Sequence, residues 1–144
     1  MTALLLDTHA WIWLAAGDER MAAHEKLLNR RASDNELLIA TITLYEASLI
    51  GSETESGQRR GRQAVRMRPT VPVWIRDTLR ATRVVPVSLD AEMATDAASF
   101  HGMHGDPFDR MIVATAIHAR ARVATADTKF IDFAKRAGVQ VLEL

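Results

Sequence analysis

The sequence contains no cysteine among its 144 residues and carries no formal net charge. Without cysteine the chain can form neither a disulfide framework nor a thiolate zinc site, and it has no cysteine nucleophile. A reducing compartment is therefore compatible with the sequence, and we expect any bound metal to be a hard cation with oxygen ligands. The balance of charges argues against a protein that coats nucleic acid indiscriminately, but it is compatible with a local basic patch.

A long hydrophobic run is also missing from the start of the chain. The apolar stretch before Asp7 is short, has no basic leader, and meets this acid before it could form a signal peptide or a membrane span. We therefore expect a cytoplasmic protein with no membrane association. The content of 48% hydrophobic and 25% charged residues is typical of a globular chain, and the length predicts a single domain over residues 1–144.

Short apolar runs alternate with helical patterns along the chain. Strands are predicted at residues 3–6, 36–40, 84–87, 123–125 and 139–142, the third of them at a sheet edge because it contains Pro86. Helices are predicted at residues 8–16, 21–31, 72–81, 88–100 and 127–137, with two more beginning near Thr43 and Asp106, and residues 51–70 are predicted to be irregular. Strands that alternate with helices predict a parallel sheet covered on both faces, which is a three-layer α/β/α domain.

Four acidic residues fall near the predicted helix starts: Asp7, Glu46, Asp109 and Asp127. In right-handed βαβ units the helices begin at the carboxyl edge of the sheet, where open α/β sheets bind their ligands, so the topology draws the four acids to one rim. Each acid taken alone is more simply explained as a helix cap. Thr43 and Glu46 in particular match the pattern of a capping box.

Taken together, the four carboxylates indicate a cation site. Two carboxylates about 4 Å apart repel each other by ~1 kcal/mol in water and by ~4 kcal/mol at an effective dielectric constant of 20. An acidic rim therefore destabilises the fold unless a cation occupies it. Oxygen ligands without cysteine, and without a His-x-x-x-His pair, favour Mg²⁺, with Mn²⁺ as a substitute, over zinc or copper.

Four segments of the chain, taken in order, resemble the PIN domain, and more narrowly the VapC-type toxin ribonucleases of type II toxin–antitoxin systems. The segments are residues 4–10, 45–46, 106–114 and 123–130, and the stretch Asp-Pro-Phe-Asp-Arg in the third is the most specific. The resemblance covers nearly the whole chain. It implies a Mg²⁺-dependent endoribonuclease that has a five-stranded parallel sheet, is usually a homodimer, and is silenced by an antitoxin.

The resemblance also implies which residues act. By motif position, the metal-binding and catalytic acids are Asp7, Glu46, Asp109 and Asp127, with Asp106 as a weaker candidate. One or two Mg²⁺ ions held there would polarise the scissile phosphate of RNA and lower the pKa of the attacking water. The hydroxyls of Thr8 and Thr125 are candidates for orienting a carboxylate or a water, although a turn hydroxyl bonded to its own backbone explains them equally well.

Other functions remain open at the level of sequence. The acids of an inert PIN-like interaction domain would merely cap helices. A receiver-type Mg²⁺-binding switch would have paired acids after the first strand and a lysine after the last full strand, but Asp7 is followed by Thr8 and His9 and no such lysine is evident. A phosphatase with an aspartyl nucleophile would have Asp-x-Asp there, and position 9 is again His.

Three further groups of residues have two readings each. An arginine-rich stretch contains Arg59, Arg60, Arg62, Arg66 and Arg68, and either contacts phosphates or forms a solvated loop. Its length and arginine content depart from what the resemblance leads us to expect. His101 and His104 precede Asp106 and are interpreted as bystanders rather than acids. The tryptophans Trp11, Trp13 and Trp74 favour core or interface positions over base stacking.

Overall fold

The computed structural model describes residues 2–100 and 105–144. Its strands are β1 (Leu4–Leu6), β2 (Leu37–Ala40), β3 (Val85–Val87), β4 (Arg122–Thr125) and β5 (Val141–Glu143). They form one parallel sheet in the order β3-β2-β1-β4-β5. The predicted five-stranded parallel sheet is confirmed. Pro86 lies in the edge strand β3, as expected for a residue without a backbone N–H.

Helices connect the strands. They are α1 (Thr8–Ala16), α2 (Glu25–Ser33), α3 (Thr41–Glu55), α4 (Val71–Thr82), α5 (Ala91–Ala98), α6 (Pro107–Ala119) and α7 (Thr128–Arg136). Short 3-10 helices cover Glu19–His24 and Gly61–Gln63. Within the described ranges, no helix is long and apolar enough to cross a membrane.

Strand β1 shows how both faces of the sheet are covered. Leu4 and Leu6 pack in one buried cluster with Trp11 of α1, whereas Leu5 packs in a second cluster with Val113 of α6. Successive side chains of a strand point to opposite faces of its sheet, so the two clusters lie on opposite sides of β1. The predicted three-layer α/β/α arrangement is confirmed, and a strand buried on both faces explains the continuous Leu-Leu-Leu run.

Helix α3 begins earlier than the sequence predicts. It begins at Thr41, directly after β2, and its first turn has no side-chain cap. The predicted capping box of Thr43 and Glu46 is therefore wrong. Thr43 is buried, and its hydroxyl lies at the hydrogen-bond distance of 3.3 Å from the hydroxyl of Thr8. Glu46 consequently lies in the second turn of α3 rather than in the first.

The same helix also continues to Glu55, into the segment predicted to be irregular. The chain that follows folds back onto it, because Gly51 leaves space for Met67: a Cβ on Gly51 would lie 2.5 Å from the sulfur of Met67. The hydroxyl of Thr54 accepts a hydrogen bond of 3.0 Å from the backbone N–H of Val65. This return packing buries one side of the C-terminal half of α3, which explains why the helix persists through a glycine.

Two helix starts also differ from the prediction. The helix predicted at residues 21–31 is divided into the 3-10 helix Glu19–His24 and α2. Helix α5 begins at Ala91 rather than at Ser88, because the carboxylate of Asp90 caps it by accepting a hydrogen bond of 2.9 Å from the N–H of Met93.

Candidate active site

Asp7 lies where β1 turns into α1. Its backbone N–H donates to the carbonyl of Ala124 in β4 over 3.1 Å, which fixes the residue at the carboxyl edge of the sheet. Its carboxylate caps α1 by accepting a hydrogen bond of 2.7 Å from the N–H of Ala10, and it also interacts with the side chain of Thr125. The residue is 7% exposed. The carboxylate is thus held in one position by groups from one strand, β4, and one helix, α1.

Glu46 reaches the same edge from the second turn of α3. The hydroxyl of Thr8 is hydrogen-bonded to its carboxylate and also lies 3.3 Å from the hydroxyl of Thr43. Thr8 therefore connects the beginning of α1 to α3 and orients Glu46, which supports the first of the two readings given for its hydroxyl.

Two acids lie at the beginning of α6. Asp106 is the N-cap, and one of its carboxylate oxygens accepts hydrogen bonds from the N–H groups of Phe108 over 2.8 Å and of Asp109 over 3.3 Å. Asp109 follows in the first turn and is half-buried. Capping by Asp106 fixes the direction of the helix and with it the position of the Asp109 side chain.

Asp127 caps α7. Its carboxylate accepts hydrogen bonds from the N–H groups of Lys129 over 2.9 Å and of Phe130 over 3.2 Å, and it is exposed. The backbone N–H of Asp127 donates to the hydroxyl of Thr125 over 3.1 Å. Thr125 therefore contacts both Asp7 and Asp127 from the end of β4.

The structure brings all five acids together in one cleft of about 360 Å³. Its lining residues are Asp7, Thr8, His9, Trp13, Glu46, Asp106, Asp109, Ala126 and Asp127. The acids come from the N-termini of α1, α6 and α7 and from the second turn of α3. None of the nine lining residues is Lys or Arg.

Burial and mutual repulsion make this cleft unfavourable for negative charge. Burial raises the pKa of Asp109 to about 8, with additional repulsion from Asp106, Glu46, Asp127 and Asp7. Burial also raises the pKa of Glu46 and that of Asp7, in both cases against hydrogen bonds that lower it. Such a site favours the binding of a proton or a metal cation over bare carboxylates.

The cleft residues fit a hard divalent cation. They offer carboxylate oxygens with threonine hydroxyls beside them, which is the ligand chemistry that Mg²⁺ and Mn²⁺ prefer. The positive ends of the α1, α6 and α7 dipoles also point to this edge, where they favour an anionic phosphate.

His9 and Trp13 also line the cleft, and sequence reasoning did not assign them to it. A signal was available, because His9 and Trp13 are four residues apart and so share one face of the helix that begins after Asp7. Their rings lie 6.3 Å apart between centroids. The predictions for the other tryptophans fit the packing: Trp11 is fully buried, and its indole N–H donates to the hydroxyl of Thr82 over 3.0 Å.

A second group of candidate ligands lies away from the cleft. Glu92 and Asp96 of α5 and His118 of α6 bring their ligand atoms within 4.8 Å of one another, and no other such group of three occurs in the described ranges. The Nε2 atom of His118 lies 2.8 Å from a carboxylate oxygen of Asp96. His101 and His104, interpreted above as bystanders, lie outside the described residues.

The comparisons with known proteins agree with this geometry. Ribonuclease VapC22 of Mycobacterium tuberculosis is 28% identical to the chain over 131 residues, which are 90% of each protein. The solved structure of VapBC2 from Rickettsia felis bound to a promoter DNA fragment superimposes with a TM-score of 0.67 at 17% identity, covering 99% of this chain and 98% of that one.

Two further solved structures share the fold. DNA-bound VapBC from Salmonella typhimurium has a TM-score of 0.67 at 18% identity, covering 99% of this chain and 98% of that one. A toxin–antitoxin complex from Klebsiella pneumoniae has a TM-score of 0.59 at 19% identity, covering 99% of this chain and 100% of that one. The family model described as the PIN domain matches residues 4–136. Because this match extends from the first strand to the last helix, the chain belongs to the PIN domain family.

Proposed function

We propose that this protein is a Mg²⁺-dependent endoribonuclease and the toxin of a toxin–antitoxin pair, and that it acts in the cytoplasm. The observation that carries the proposal is the acidic cleft. Five carboxylates share it, the pKa of three of them is raised, and none of its lining residues in the described part of the chain is Lys or Arg. The likeness to a ribonuclease over 90% of the chain supports RNA as the substrate.

The residues that would hold the cation are Asp7, Glu46, Asp109 and Asp127, with Asp106 as a weaker candidate. When bound, Mg²⁺ or Mn²⁺ would supply a water of lowered pKa and a polarised phosphate for hydrolysis of the phosphodiester bond. Because the phosphate and the carboxylates are all anionic, the cation also removes the repulsion that would otherwise keep RNA away.

The chain itself supplies orientation. The hydroxyl of Thr125 contacts the Asp7 carboxylate and accepts from the backbone N–H of Asp127, and Thr8 contacts the Glu46 carboxylate. Two threonine hydroxyls therefore position two carboxylates and fix the backbone of a third acid. Partners of this kind keep metal ligands in place before the metal arrives and strengthen binding. The oxygen of Asp106 is used in capping α6, which supports a weaker role in binding the cation.

We also propose two protein partners. The similarity to VapBC and other toxin–antitoxin complexes supports a cognate antitoxin that silences the cleft. A homodimer is proposed from the resemblance to VapC-type toxins.

A cleavage assay tests the enzymatic proposal. A mixed RNA pool is incubated with the wild-type protein in Mg²⁺ or in EDTA, and with Asp109→Asn. The matched control is Asp132→Asn, since Asp132 is exposed on α7 and does not line the cleft. We expect cleavage to need the divalent ion, to fall roughly 100-fold or more in Asp109→Asn, and to be unchanged in Asp132→Asn. Equal cleavage in EDTA would contradict the mechanism.

Isothermal titration with Mg²⁺ tests the principal alternative, an inert interaction domain. We expect the wild-type protein to bind the ion and Asp7→Asn to lose that binding. An absence of Mg²⁺ binding in the wild-type protein would favour a domain in which the acids only cap helices.

A further inference from the structure

A large groove adjoins the acidic cleft. It has a volume of about 1360 Å³ and shares His9 and Trp13 with the cleft as lining residues. Its other walls come from α1, from the 3-10 helix Glu19–His24, and from the chain that follows α3. A ligand that lies in the cleft can therefore continue into the groove past one aromatic side chain.

The charge of this groove is opposite to that of the cleft. Arg20, Arg59, Arg62 and Arg66 line it, together with the acids Asp18 and Glu19. Arg20 pairs with Asp18 and Arg59 with Glu53. Arg62 and Arg66 are exposed, and neither makes an ion pair or a side-chain hydrogen bond with any other residue in the described ranges. Two guanidinium groups are thus available to an anionic ligand.

The aromatic residue at the junction is held in position. The guanidinium carbon of Arg20 lies 3.9 Å from the ring centre of Trp13. Asp18 fixes that guanidinium through two hydrogen bonds, of 2.9 Å from Nε and 2.7 Å from Nη2, and these bonds lower the pKa of Asp18 to about 2. Trp13 is half-buried, with Arg20 against it. A stacking surface that is already ordered loses little entropy when a base binds.

The arginine-rich segment is anchored to α3 on both sides of Arg66, although its arginine side chains remain exposed. Met67 is 2% exposed and packs against Gly51, and the N–H of Val65 donates to Thr54. Arg66 lies between these two anchored residues. The sequence left open whether this segment is a phosphate-binding surface or a free loop, and the packing favours the former.

We propose that this groove binds the single-stranded RNA segment adjacent to the scissile phosphate, with Arg62 and Arg66 contacting phosphates and Trp13 stacking on a base next to the cut. The inference rests on the proposed function, because it places the scissile phosphate in the cleft. Basic side chains that follow the backbone together with aromatic side chains that stack on bases are the general means of binding single strands. Duplex RNA fits less well, since its bases are already stacked.

Binding is measured separately from cleavage. The probe is a fluorescein-labelled, mixed-sequence single-stranded RNA of about 12 nucleotides, a length that spans one binding groove of this kind. Fluorescence anisotropy is recorded over a series of salt concentrations with Ca²⁺ in place of Mg²⁺, because Ca²⁺ also takes oxygen ligands and neutralises the cleft. A denaturing gel of the probe after each titration shows that no cleavage has occurred. The variants are the double substitution Arg62→Ala/Arg66→Ala, Trp13→Leu, and the control Arg60→Ala. Arg60 belongs to the same segment, is exposed, and does not line the groove.

We expect the double variant to bind roughly 10-fold more weakly and its salt slope to fall by about 1.4, since each phosphate contact on a single strand contributes ~0.7. Arg60→Ala should keep the wild-type slope. Trp13→Leu should weaken binding roughly 10-fold without changing the slope, because stacking releases no counterions. Thermal unfolding of each variant shows whether the fold is retained. The arginine variants give the firmer result, because Arg62 and Arg66 are exposed whereas Trp13 is half-buried.

Several outcomes would overturn the proposal. Wild-type affinity and slope in the double variant would contradict it, as would a wild-type protein that binds no RNA. A double variant that binds RNA normally but no longer binds a polyglutamate peptide would make the groove a site for an acidic polypeptide. RNA binding that depends on Arg62 and Arg66, in a protein that never cleaves RNA, would support the groove while contradicting the nuclease.

Discussion

The molecule contains two clusters of candidate metal ligands, one at the α5–α6 surface and one in the cleft, and they differ in how much a cation would stabilise them. At the α5–α6 surface, Glu92, Asp96 and His118 converge within 4.8 Å, closer than any three cleft carboxylates in the described ranges. That group contains a histidine beside its acids: His118 is hydrogen-bonded to Asp96, and this bond raises the pKa of His118 and so favours its cationic form. The ligand atoms therefore lie closer together in the surface group, where a metal ion is less needed to offset negative charge.

The cleft shows the opposite balance. Three of its carboxylates cap three different helices, and none of the described residues that line it is Lys or Arg. Burial raises the pKa of Asp109 to about 8. Mutual repulsion among carboxylates in a buried, concave place indicates a metal site better than the mere closeness of ligand atoms does.

The largest expected effect concerns catalysis. Asp7→Asn should lower Mg²⁺-dependent RNA cleavage roughly 100-fold or more, because it removes a ligand held by two elements. His118→Gln and Asp96→Asn should cleave at the wild-type rate. Initial rates on one labelled RNA measure all three variants. If His118→Gln lost activity and Asp7→Asn kept it, the functional comparison between the two groups would be reversed.

The next effect concerns stabilisation by metal. At a Mg²⁺ concentration 100 times the dissociation constant, binding to the folded state adds ~2.7 kcal/mol to the free energy of unfolding. Asp109→Asn should remove most of this gain, while Asp96→Asn should keep it. Urea unfolding with and without Mg²⁺ measures the gain. A gain that survives in Asp109→Asn and disappears in Asp96→Asn would place the ion at the surface group.

A smaller effect concerns the stability of the metal-free protein, and we expect it to have opposite signs for substitutions in the cleft and in the surface group. Without metal, Asp109→Asn should raise the free energy of unfolding by roughly 1 kcal/mol, since it relieves repulsion among half-buried carboxylates. Asp96→Asn should lower it slightly, because it removes a partner of His118. Chemical denaturation in EDTA gives both values. Destabilisation of the metal-free protein by Asp109→Asn would show that the cleft is structural rather than functional.

The smallest effect depends on pH. The pKa of His118 is raised above its ordinary value of 6.5 by Asp96, with Glu92 and Asp90 adding to the attraction. A raised pKa means that the pair stabilises the fold fully below the ordinary pKa and loses this contribution as the pH rises through the raised value. Melting temperatures of wild type and His118→Gln should therefore differ at about pH 5 and converge at about pH 9. A difference that grows with pH would contradict the ion pair.

Much of the fold could be read from local patterns. The continuous apolar runs predict buried parallel strands, and Pro86 predicts an edge strand, because both signals concern a strand and its own backbone. The meeting of the acids at one rim follows from topology, because every covering helix begins at the same edge.

The remaining features depend on contacts between distant segments. Thr43 matches a capping box, yet its hydroxyl is used by Thr8 from another helix. Gly51 suggests a break, but the returning Met67 fills the space beside it and the helix continues. Arg62 and Arg66 line the groove next to the cleft because the chain after α3 folds back onto that helix. No local periodicity encodes it.

Helix α3 gives the site a fixed scale. Glu46 and Gly51 lie on the same helix, five residues and so about 7.5 Å apart along its axis. Gly51 receives the sulfur of Met67, whose segment carries the exposed arginines. Under the proposed function, α3 sets the distance between the scissile phosphate in the cleft and the nucleotide bound by the arginines. A larger side chain at Gly51 would then move the arginine segment and leave Glu46 in place, so the position of cleavage along the RNA would change before its rate did.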